Sequence, residues 1–304
     1  MDNNKPQISM LTGSSGFLGR VIYDQLVSRH TPVWTLGRSE GVDFKIDLVK
    51  SSSVLPSCDS VIHVAGKAHS SARKAKVIKD FFEVNVTGTK NLLLSIELSG
   101  WVPRSFTFVS TVGVYGKDSG ENISEDSPLL ARDPYGVSKI QAEELVLDWC
   151  IKNNVMCTIL RLPLVVGENP PGNLGAMINA IKEGYYFNIG GGGARKSMVL
   201  AEDVAAIIYK ASQIGGIFNL TDGYHPTFLE LSTVLANKNG KSRPFNVPYS
   251  IAKGISLIGD VFGSKFPLNS NKLKKITAEL TFDDSRAREV LGWQPSKVID
   301  WFTK

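Results

Sequence analysis

The chain has 304 residues, of which 42% are hydrophobic, so it can bury a substantial core as one large domain or two moderate ones. Its 34 Lys and Arg against 29 Asp and Glu leave a net charge of +5, with no long basic run or basic patch interleaved with aromatic residues, so no nucleic-acid partner is expected. No apolar run is long enough to span a bilayer, and the first residues lack the apolar core of a signal peptide. We therefore expect a soluble, cytoplasmic protein without a membrane partner.

The cysteines give no sign of a metal site. Cys58, Cys150 and Cys157 do not have the spacing of metal ligands and lie in or near apolar segments. Packed, reduced thiols are the expected state, and no metal is predicted.

A glycine-rich turn follows the first predicted strand, residues 7–12. Gly13, Gly16 and Gly19 have the spacing G-x-x-G-x-x-G, and an amphipathic helix is predicted over residues 17–29. Such a turn can need glycine for geometry alone. Its position between the first strand and the first helix favours a cradle for the pyrophosphate of a dinucleotide, because the helix start presents free N–H groups.

The second predicted strand, residues 32–36, indicates which dinucleotide binds. An acidic residue at its end would bind the ribose 2′-hydroxyl of NAD, but here Gly37 and Arg38 follow. Arginine can pair with a 2′-phosphate, so NADP(H) is favoured, while NAD(H) stays possible and a solvated loop arginine is the alternative. A third short strand is predicted to end at Asp47 and Leu48, where Asp47 could accept a hydrogen bond from the adenine amino group.

Further strands are predicted over residues 60–66, 106–110 and 157–162, with a helix over residues 79–99. The alternation of strand and helix from residue 7 to residue 162 predicts an α/β fold with a Rossmann-like, doubly wound parallel sheet. Ser110 and Thr111 leave the fifth strand at its carboxyl end, the edge at which such sheets bind ligands. His63 is expected to be a packed core histidine.

The segment from Asp133 to Lys139 predicts a helix with a reactive pair. Asp133 suits the N-cap and Pro134 the first helical position, and apolar spacing continues the helix to about residue 152. Tyr135 and Lys139 then share one helix face. A cation beside a tyrosine lowers its pKa, which would make Tyr135 a usable acid and base near neutral pH.

The pattern is less regular after residue 162. Helices are predicted near residues 174–182, 203–212, 227–238, 248–258 and 283–291, and a strand over residues 217–220 is expected to return to the main sheet. We expect a dinucleotide-binding domain of residues 1–162 and about 200–220, and a smaller, discontinuous substrate domain of residues 163–199 and 221–304.

Taken together, these motifs resemble one family. The chain is similar to the extended short-chain dehydrogenase/reductases, particularly the NAD(P)-dependent nucleotide-sugar epimerases, dehydratases and reductases. Residues 65–69 and 172–174 resemble bacterial UDP-N-acetylhexosamine 4-epimerases and related 4-keto-6-deoxy-sugar reductases. The motifs that carry the family resemblance are Thr12–Gly19, Asp47-Leu48, His63-x-Ala65-Gly66, Asn85-Val86-x-Gly88-Thr89, Ser110-Thr111-x-x-Val114-Tyr115-Gly116, Pro134-Tyr135-Gly136-x-Ser138-Lys139, Arg161-x-Pro163-x-x-x-Gly167 and Asp203-Val204-Ala205.

The resemblance implies a role for each site residue. Tyr135 would exchange a proton with the sugar C4 oxygen while hydride moves between the sugar and the nicotinamide. Thr111, with Ser110 as a helper, would hold that oxygen, and Lys139 would bind the nicotinamide ribose. The expected cofactor-binding residues are Gly13, Ser15, Gly16, Phe17, Leu18, Gly19, Arg38, Asp47, Leu48, Val64, Ala65, Gly66, Asn85, Tyr135, Lys139 and Leu162. The expected substrate-binding residues are Lys67, Asn173, Phe187 and Lys196.

Several reactions are known in this family, and two remain open here. Dehydratases need an acidic pair after the threonine, where this chain has Val112 and Gly113, so dehydration is rejected. A 4-keto-sugar reductase is placed slightly ahead of a UDP-hexose or UDP-N-acetylhexosamine 4-epimerase because of Arg38. A non-catalytic protein that senses the dinucleotide is the third alternative, although such proteins usually lose the tyrosine or the lysine. The resemblance also implies a homodimer.

Overall fold

Thirteen strands and eleven α-helices occur in the computed structural model, which describes residues 7–68, 75–262 and 268–303, so His69 lies outside the described residues. The strands are β1 (Ser9–Thr12), β2 (Val33–Gly37), β3 (Phe44–Lys45), β4 (Ser60–His63), β5 (Ser105–Thr111), β6 (Gly120–Ile123), β7 (Met156–Leu162), β8 (Leu164–Val166), β9 (Phe187–Ile189), β10 (Met198–Leu200), β11 (Gly216–Asn219), β12 (Phe245–Val247) and β13 (Leu280–Phe282).

The helices alternate with the strands in the first half of the chain. They are α1 (Phe17–Ser28), α2 (Ala75–Phe82), α3 (Gly88–Leu98), α4 (Pro134–Asn153), α5 (Gly172–Lys182), α6 (Ala201–Ser212), α7 (Phe228–Lys238), α8 (Tyr249–Phe262), α9 (Ser270–Thr277), α10 (Ser285–Leu291) and α11 (Val298–Thr303). A π-helical turn, Glu83–Thr87, joins α2 to α3, so the single helix predicted over residues 79–99 is two helices with a wide turn between them. No helix in the described part of the chain has the length and apolarity needed to cross a membrane.

Seven parallel strands form the central sheet, in the order β11-β7-β5-β4-β1-β2-β3. The chain winds outward from β1 to β3 on one side and from β4 to β11 on the other, which confirms the predicted doubly wound sheet. The strand order reverses between β1 and β4, and ligands bind at such a switch point, beyond the carboxyl ends of the strands. The predicted return of residues 217–220 is also confirmed, because β11 pairs with β7.

Two apolar layers cover the faces of this sheet. On one face Leu92 and Ile96 of α3 and Val146 of α4 pack against strand residues such as Phe106. On the other face Ile22 and Leu26 of α1 and Ile208 of α6 pack against Leu11 and Ile62. The central strands are buried on both faces, so adjacent residues can both be apolar, as Met10 and Leu11 are in β1 and Val61 and Ile62 in β4.

The helix that carries the predicted reactive pair begins where the sequence indicates. The side chain of Asp133 accepts a hydrogen bond from the backbone N–H of Gly136, at 3.0 Å, and Pro134 occupies the first helical turn. Helix α4 ends at Asn154, whose φ of 54° lies in the left-handed region. Both ends of the helix are therefore fixed by local sequence.

Three two-stranded sheets lie outside the main sheet: β8 with β10, β9 with β12, and β6 with β13. A further apolar cluster joins α5, α7 and α11, and includes Leu174, Leu231 and Phe302. Sequence patterns did not predict α9, α11 or most of these short strands. The division of the chain into two domains stays a prediction.

Candidate active site

A glycine turn brings the start of α1 against β4. Gly13 has φ +75°, and a Cβ there would lie 2.6 Å from the backbone nitrogen of Ala65. A Cβ on Gly19 would lie 1.9 Å from the carbonyl oxygen of Gly13. Both positions therefore require glycine. Helix α1 has no side-chain cap at Gly16, so its first N–H groups are left for a ligand, as a phosphate cradle requires.

A cavity of about 810 Å³ opens at this turn and follows the carboxyl ends of the strands. Its volume is in the range of a small-molecule or cofactor site. The structure brings nearly all the predicted cofactor and catalytic residues to its wall. Those that line it are Gly13, Ser15, Gly16, Phe17, Leu18, Gly19, Arg38, Asp47, Leu48, Val64, Ala65, Gly66, Ser110, Thr111, Tyr135 and Leu162.

Arg38 lies at one end of the cavity, directly after β2. Its side chain is exposed and makes no ion pair or hydrogen bond within residues 7–68, 75–262 and 268–303. Beside it the hydroxyl of Ser39 donates a hydrogen bond to that of Ser15, at 3.0 Å. An unpaired guanidinium and two hydroxyls form a group of donors suited to a phosphate.

Asp47 reaches the cavity from a turn, and the prediction that it ends a strand was wrong. Strand β3 ends at Lys45, because the main chain turns at Asp47, whose carbonyl accepts hydrogen bonds from the N–H groups of Lys50 and Ser51. The Asp47 side chain also accepts a hydrogen bond from Val49, at 3.2 Å, which holds the carboxylate at the cavity wall.

Asn85 lies behind the cavity wall, and the buried His63 contributes to that wall. Asn85 is buried in the π-helical turn and does not line the cavity: its amide bonds both backbone groups of Lys67 and the hydroxyl of Ser138. The ring nitrogens of His63 bond Thr12 and Thr89, and burial lowers its pKa to about 3, so it is the packed neutral histidine that the sequence predicts.

Tyr135 and Thr111 meet at the cavity where β5 ends and α4 begins. The Thr111 hydroxyl accepts a hydrogen bond from Gly113, at 3.1 Å, and the ring of Tyr135 packs on Phe81 with centroids 5.7 Å apart. Burial raises the pKa of Tyr135, and the hydrogen bond with the Thr111 side chain opposes this only in part. The predicted lowering of this pKa is therefore not produced by the chain alone.

Lys139, the cation expected to lower the Tyr135 pKa, makes its contacts with other groups. Its ammonium is fully buried, donates a hydrogen bond to the carbonyl of Val109 at 2.8 Å, and lies 3.8 Å from the centre of the Phe108 ring. Burial lowers its pKa to about 7, and the charge of Glu143 acts in the opposite direction. Lys139 thus ties α4 to the end of β5, but it is not part of the cavity wall.

A buried polar cluster that sequence reasoning missed lies behind these residues. Arg161 pairs with Glu143 at 2.7 Å, and both side chains are almost completely buried. Ser110, the predicted helper, donates its hydroxyl to Glu143, and Tyr115 accepts a hydrogen bond from Arg161 at 3.1 Å. One feature of the sequence could have revealed this cluster: Arg161 lies within a mostly apolar strand, and a buried arginine needs an anion as its partner.

None of the four predicted substrate residues lines the cavity. The amine of Lys67 pairs with Asp80, although its neighbour Gly66 reaches the wall. Lys196 donates to the carbonyl of Lys275 at 3.0 Å. Asn173 is exposed in the first turn of α5 and Phe187 is exposed on β9. A site formed jointly by these four residues stays a prediction.

No group of His, Cys, Asp and Glu suited to a metal ion occurs among the described residues. The three cysteines are free, and those at 58 and 150 are buried.

Comparison with known proteins agrees with this geometry. An N-acetylglucosaminyl-diphospho-undecaprenol 4-epimerase of Escherichia coli O157:H7 is 24% identical over 91% of this chain and 87% of its own length. The GDP-6-deoxy-D-mannose reductase of Pseudomonas aeruginosa is 27% identical over 75% of this chain and 78% of its own. The solved structure of RMD from P. aeruginosa with NADPH has a TM-score of 0.74, at 23% identity, and covers 96% of this chain and 95% of that protein. Residues 9–220 match the NAD dependent epimerase/dehydratase family, and the chain belongs to that family.

Proposed function

We propose that this protein is an oxidoreductase acting at C4 of a nucleotide-activated sugar, with reduction of a 4-keto sugar as the first candidate. One observation carries the proposal: Tyr135 and Thr111 line the same cavity as the glycine cradle. A proton donor and a dinucleotide phosphate site thus share one enclosed space, as proton-coupled hydride transfer requires.

The cavity fits a nicotinamide dinucleotide. The crowded glycines at 13 and 19 leave room for a pyrophosphate at the start of α1, and Ala65 and Gly66 offer backbone on which a flat ring can lie. When bound, the dinucleotide supplies or takes up the hydride. Arg38 supports NADP(H) as the preferred form, because it offers an unpaired guanidinium where a 2′-phosphate would lie.

The residues of the chain account for the proton. Tyr135 would donate its hydroxyl proton to the C4 oxygen during reduction, while Thr111 would hold that oxygen in place. Since burial raises the pKa of Tyr135, the chain keeps this residue protonated at neutral pH, ready to act as the acid. Val112 and Gly113 at the cavity wall cannot transfer protons, which leaves no acid–base pair for dehydration.

A sugar 4-epimerase is the second candidate. It is supported by the E. coli relative, which is named as a 4-epimerase and aligns with nearly the whole chain. An epimerase uses the same residues twice, as base and then as acid, so Tyr135 and Thr111 do not discriminate between the two reactions.

One experiment separates the candidates. The purified protein is denatured and any released dinucleotide is identified; fresh protein is then offered UDP-N-acetylglucosamine and a 4-keto-6-deoxy sugar nucleotide. NADPH consumption with the keto sugar alone supports the reductase. Tightly held NAD with exchange of C4 epimers contradicts it and supports the epimerase. Dinucleotide binding without turnover of any sugar nucleotide contradicts both.

A further inference from the structure

Helix α8 exposes its large aliphatic side chains and buries small ones. Ile251, Ile255 and Ile258 repeat at spacings of four and three residues, so they share one side of the helix, and they are 54%, 40% and 53% exposed. The side that packs on the protein carries Ala252 and Ser256, which are almost completely buried. A surface helix usually has the reverse arrangement, with its large apolar stripe against the core.

Exposed apolar side chains also precede the helix. Phe245 on β12 is 84% exposed and lies opposite Phe187 of β9 in the strand register, so both rings point to the same side of that small sheet. Strand β12 ends at Val247, and α8 begins two residues later with the exposed Tyr249. We call Ile251, Ile255 and Ile258, together with Phe245 before the helix, the docking face.

Exposed basic residues lie close to the docking face in the sequence. Lys241, Arg243 and Lys253 are exposed within or beside it, and the sequence has no acidic residue between Glu230 and Asp260. Residues 231–278 contain eight of the 34 basic residues and one of the 29 acidic ones, a net charge of +7, so the rest of the chain has a net charge of −2. The net positive charge of this protein therefore comes from the segment of the sequence that contains α8.

We propose that the docking face binds the surface of an anionic lipid bilayer, with α8 lying in the plane of the interface. Exposed aliphatic and aromatic side chains flanked by Lys and Arg have the chemistry of an interfacial helix, in which the apolar side enters the headgroup boundary and the cations meet anionic lipid. A helix of 14 residues is about 21 Å long and too short to span the hydrocarbon core, so only surface binding is proposed.

This proposal modifies the expectation of no membrane partner, which rested on the lack of a spanning segment. It does not depend on the proposed reaction. Among other occupants, a second copy of the chain is disfavoured by charge, because two copies would bring the exposed Lys241, Arg243 and Lys253 of each close together.

The test is sedimentation of the full-length protein with vesicles. We expect binding to vesicles of phosphatidylglycerol and phosphatidylcholine, and binding about tenfold weaker to phosphatidylcholine alone or in 0.5 M salt. Ile255→Glu/Ile258→Glu should weaken binding to the anionic vesicles about tenfold or more. The matched control is Val54→Glu/Val290→Glu, which places the same charges on two other exposed aliphatic positions and should bind like the wild type.

Turnover of a water-soluble sugar nucleotide is measured in parallel and should be equal in all three proteins, which separates failure of the docking proposal from failure of the proposed function. The proposal is overturned if the wild-type protein does not bind anionic vesicles. So would equal binding by the wild type and the α8 variant. If the α8 substitutions instead turn a dimer into a monomer and vesicles do not bind, the docking face is an interface between copies, and the proposal is wrong.

Discussion

The ammonium nitrogen of Lys139 lies 2.8 Å from the carbonyl oxygen of Val109, two residues before Thr111 on the same strand. This hydrogen bond joins the helix that carries Tyr135 to the strand that carries Thr111. It crosses a buried region, so its strength depends on the charge of Lys139, and that charge is costly to bury. The pair therefore links the alignment of the candidate catalytic residues to pH.

Lys139→Met should remove this link. Burial lowers the Lys139 pKa from 10.5 to about 7, so between these values the unfolded chain holds a proton that the folded chain has released. Stability of the wild type then rises with pH across that window, and the cost of the buried charge is largest below pH 7. At pH 6 we expect the variant to be more stable than the wild type by about 3 kcal/mol. The free energy equivalent to the pKa shift is larger than this, but the Val109 carbonyl loses its hydrogen-bond donor in the variant, which offsets part of the gain.

Urea unfolding of both proteins at pH 6, 8 and 10 measures this difference. The advantage of the variant should shrink as the pH rises toward 10. A difference that stays constant across the three values would contradict the buried charge.

Gly13→Ala should impair dinucleotide binding because its Cβ would strike the backbone of Ala65. Gly41→Ala is the matched control: Gly41 has a similar φ of +80°, but no atom lies within 4 Å of its Cβ. Both variants bear the backbone strain of a positive φ, about 1–2 kcal/mol, and only the first distorts the cradle. Titration of dinucleotide binding by calorimetry should show a loss of about tenfold or more for Gly13→Ala alone. An equal loss in the two variants would mean that strain, rather than the close approach, determines affinity.

Arg38→Ala tests the cofactor preference. If Arg38 pairs with a 2′-phosphate, the variant should bind NADPH about tenfold to a hundredfold more weakly and NADH about equally. Arg29→Ala, which removes an exposed arginine at the end of α1, should change neither affinity. Fluorescence titration with both reduced dinucleotides measures the ratio. A parallel loss of NADH and NADPH affinity would show that Arg38 attracts the dinucleotide in general and does not select its 2′ group.

Glu143→Gln should destabilise the protein strongly. It leaves Arg161 as a buried charge without its anion, which typically costs about 3–5 kcal/mol. Glu83→Gln removes the half-buried partner of the exposed Lys79 and should change stability by less than about 0.5 kcal/mol. The double variant Glu143→Leu/Arg161→Met should recover part of the loss because neither charge of this pair remains buried. Denaturant unfolding of the three variants measures the effect, and a Glu143→Gln cost as small as that of Glu83→Gln would refute it.

Local patterns predicted the fold of the first half of the chain well. Its central strands are short and buried, and Asp133, Pro134 and the glycine turn are signals that act within a few residues. Nearly all the predicted cofactor residues line one cavity for the same reason: parallel strands bring the ends of separate local motifs to one edge of the sheet.

The short strands outside the main sheet and the contacts of several site residues could not be predicted from local sequence. Strand β6 exists through its pairing with β13, about 160 residues away, and three or four residues are too few to show a period. Asn85 and Lys139 were expected at the cavity wall, but their long side chains reach Lys67 and Val109, partners that only the tertiary structure supplies. Likewise, whether Lys67 faces a ligand or Asp80 is decided by the packing of α2.

The central claim is that Tyr135 transfers the proton to the sugar oxygen. The most direct test is to measure the rate at which the Tyr135→Phe variant reduces a 4-keto sugar nucleotide. Phenylalanine keeps the ring packed on Phe81 and removes only the hydroxyl, so we expect kcat to fall by about a hundredfold or more. Dinucleotide affinity should stay within about twofold of the wild-type value, because the hydroxyl is assigned to proton transfer and not to binding of the dinucleotide. Tyr23→Phe, which removes an exposed hydroxyl on α1, is the control and should be indistinguishable from the wild type. A Tyr135→Phe variant that turns over at the wild-type rate would contradict the account.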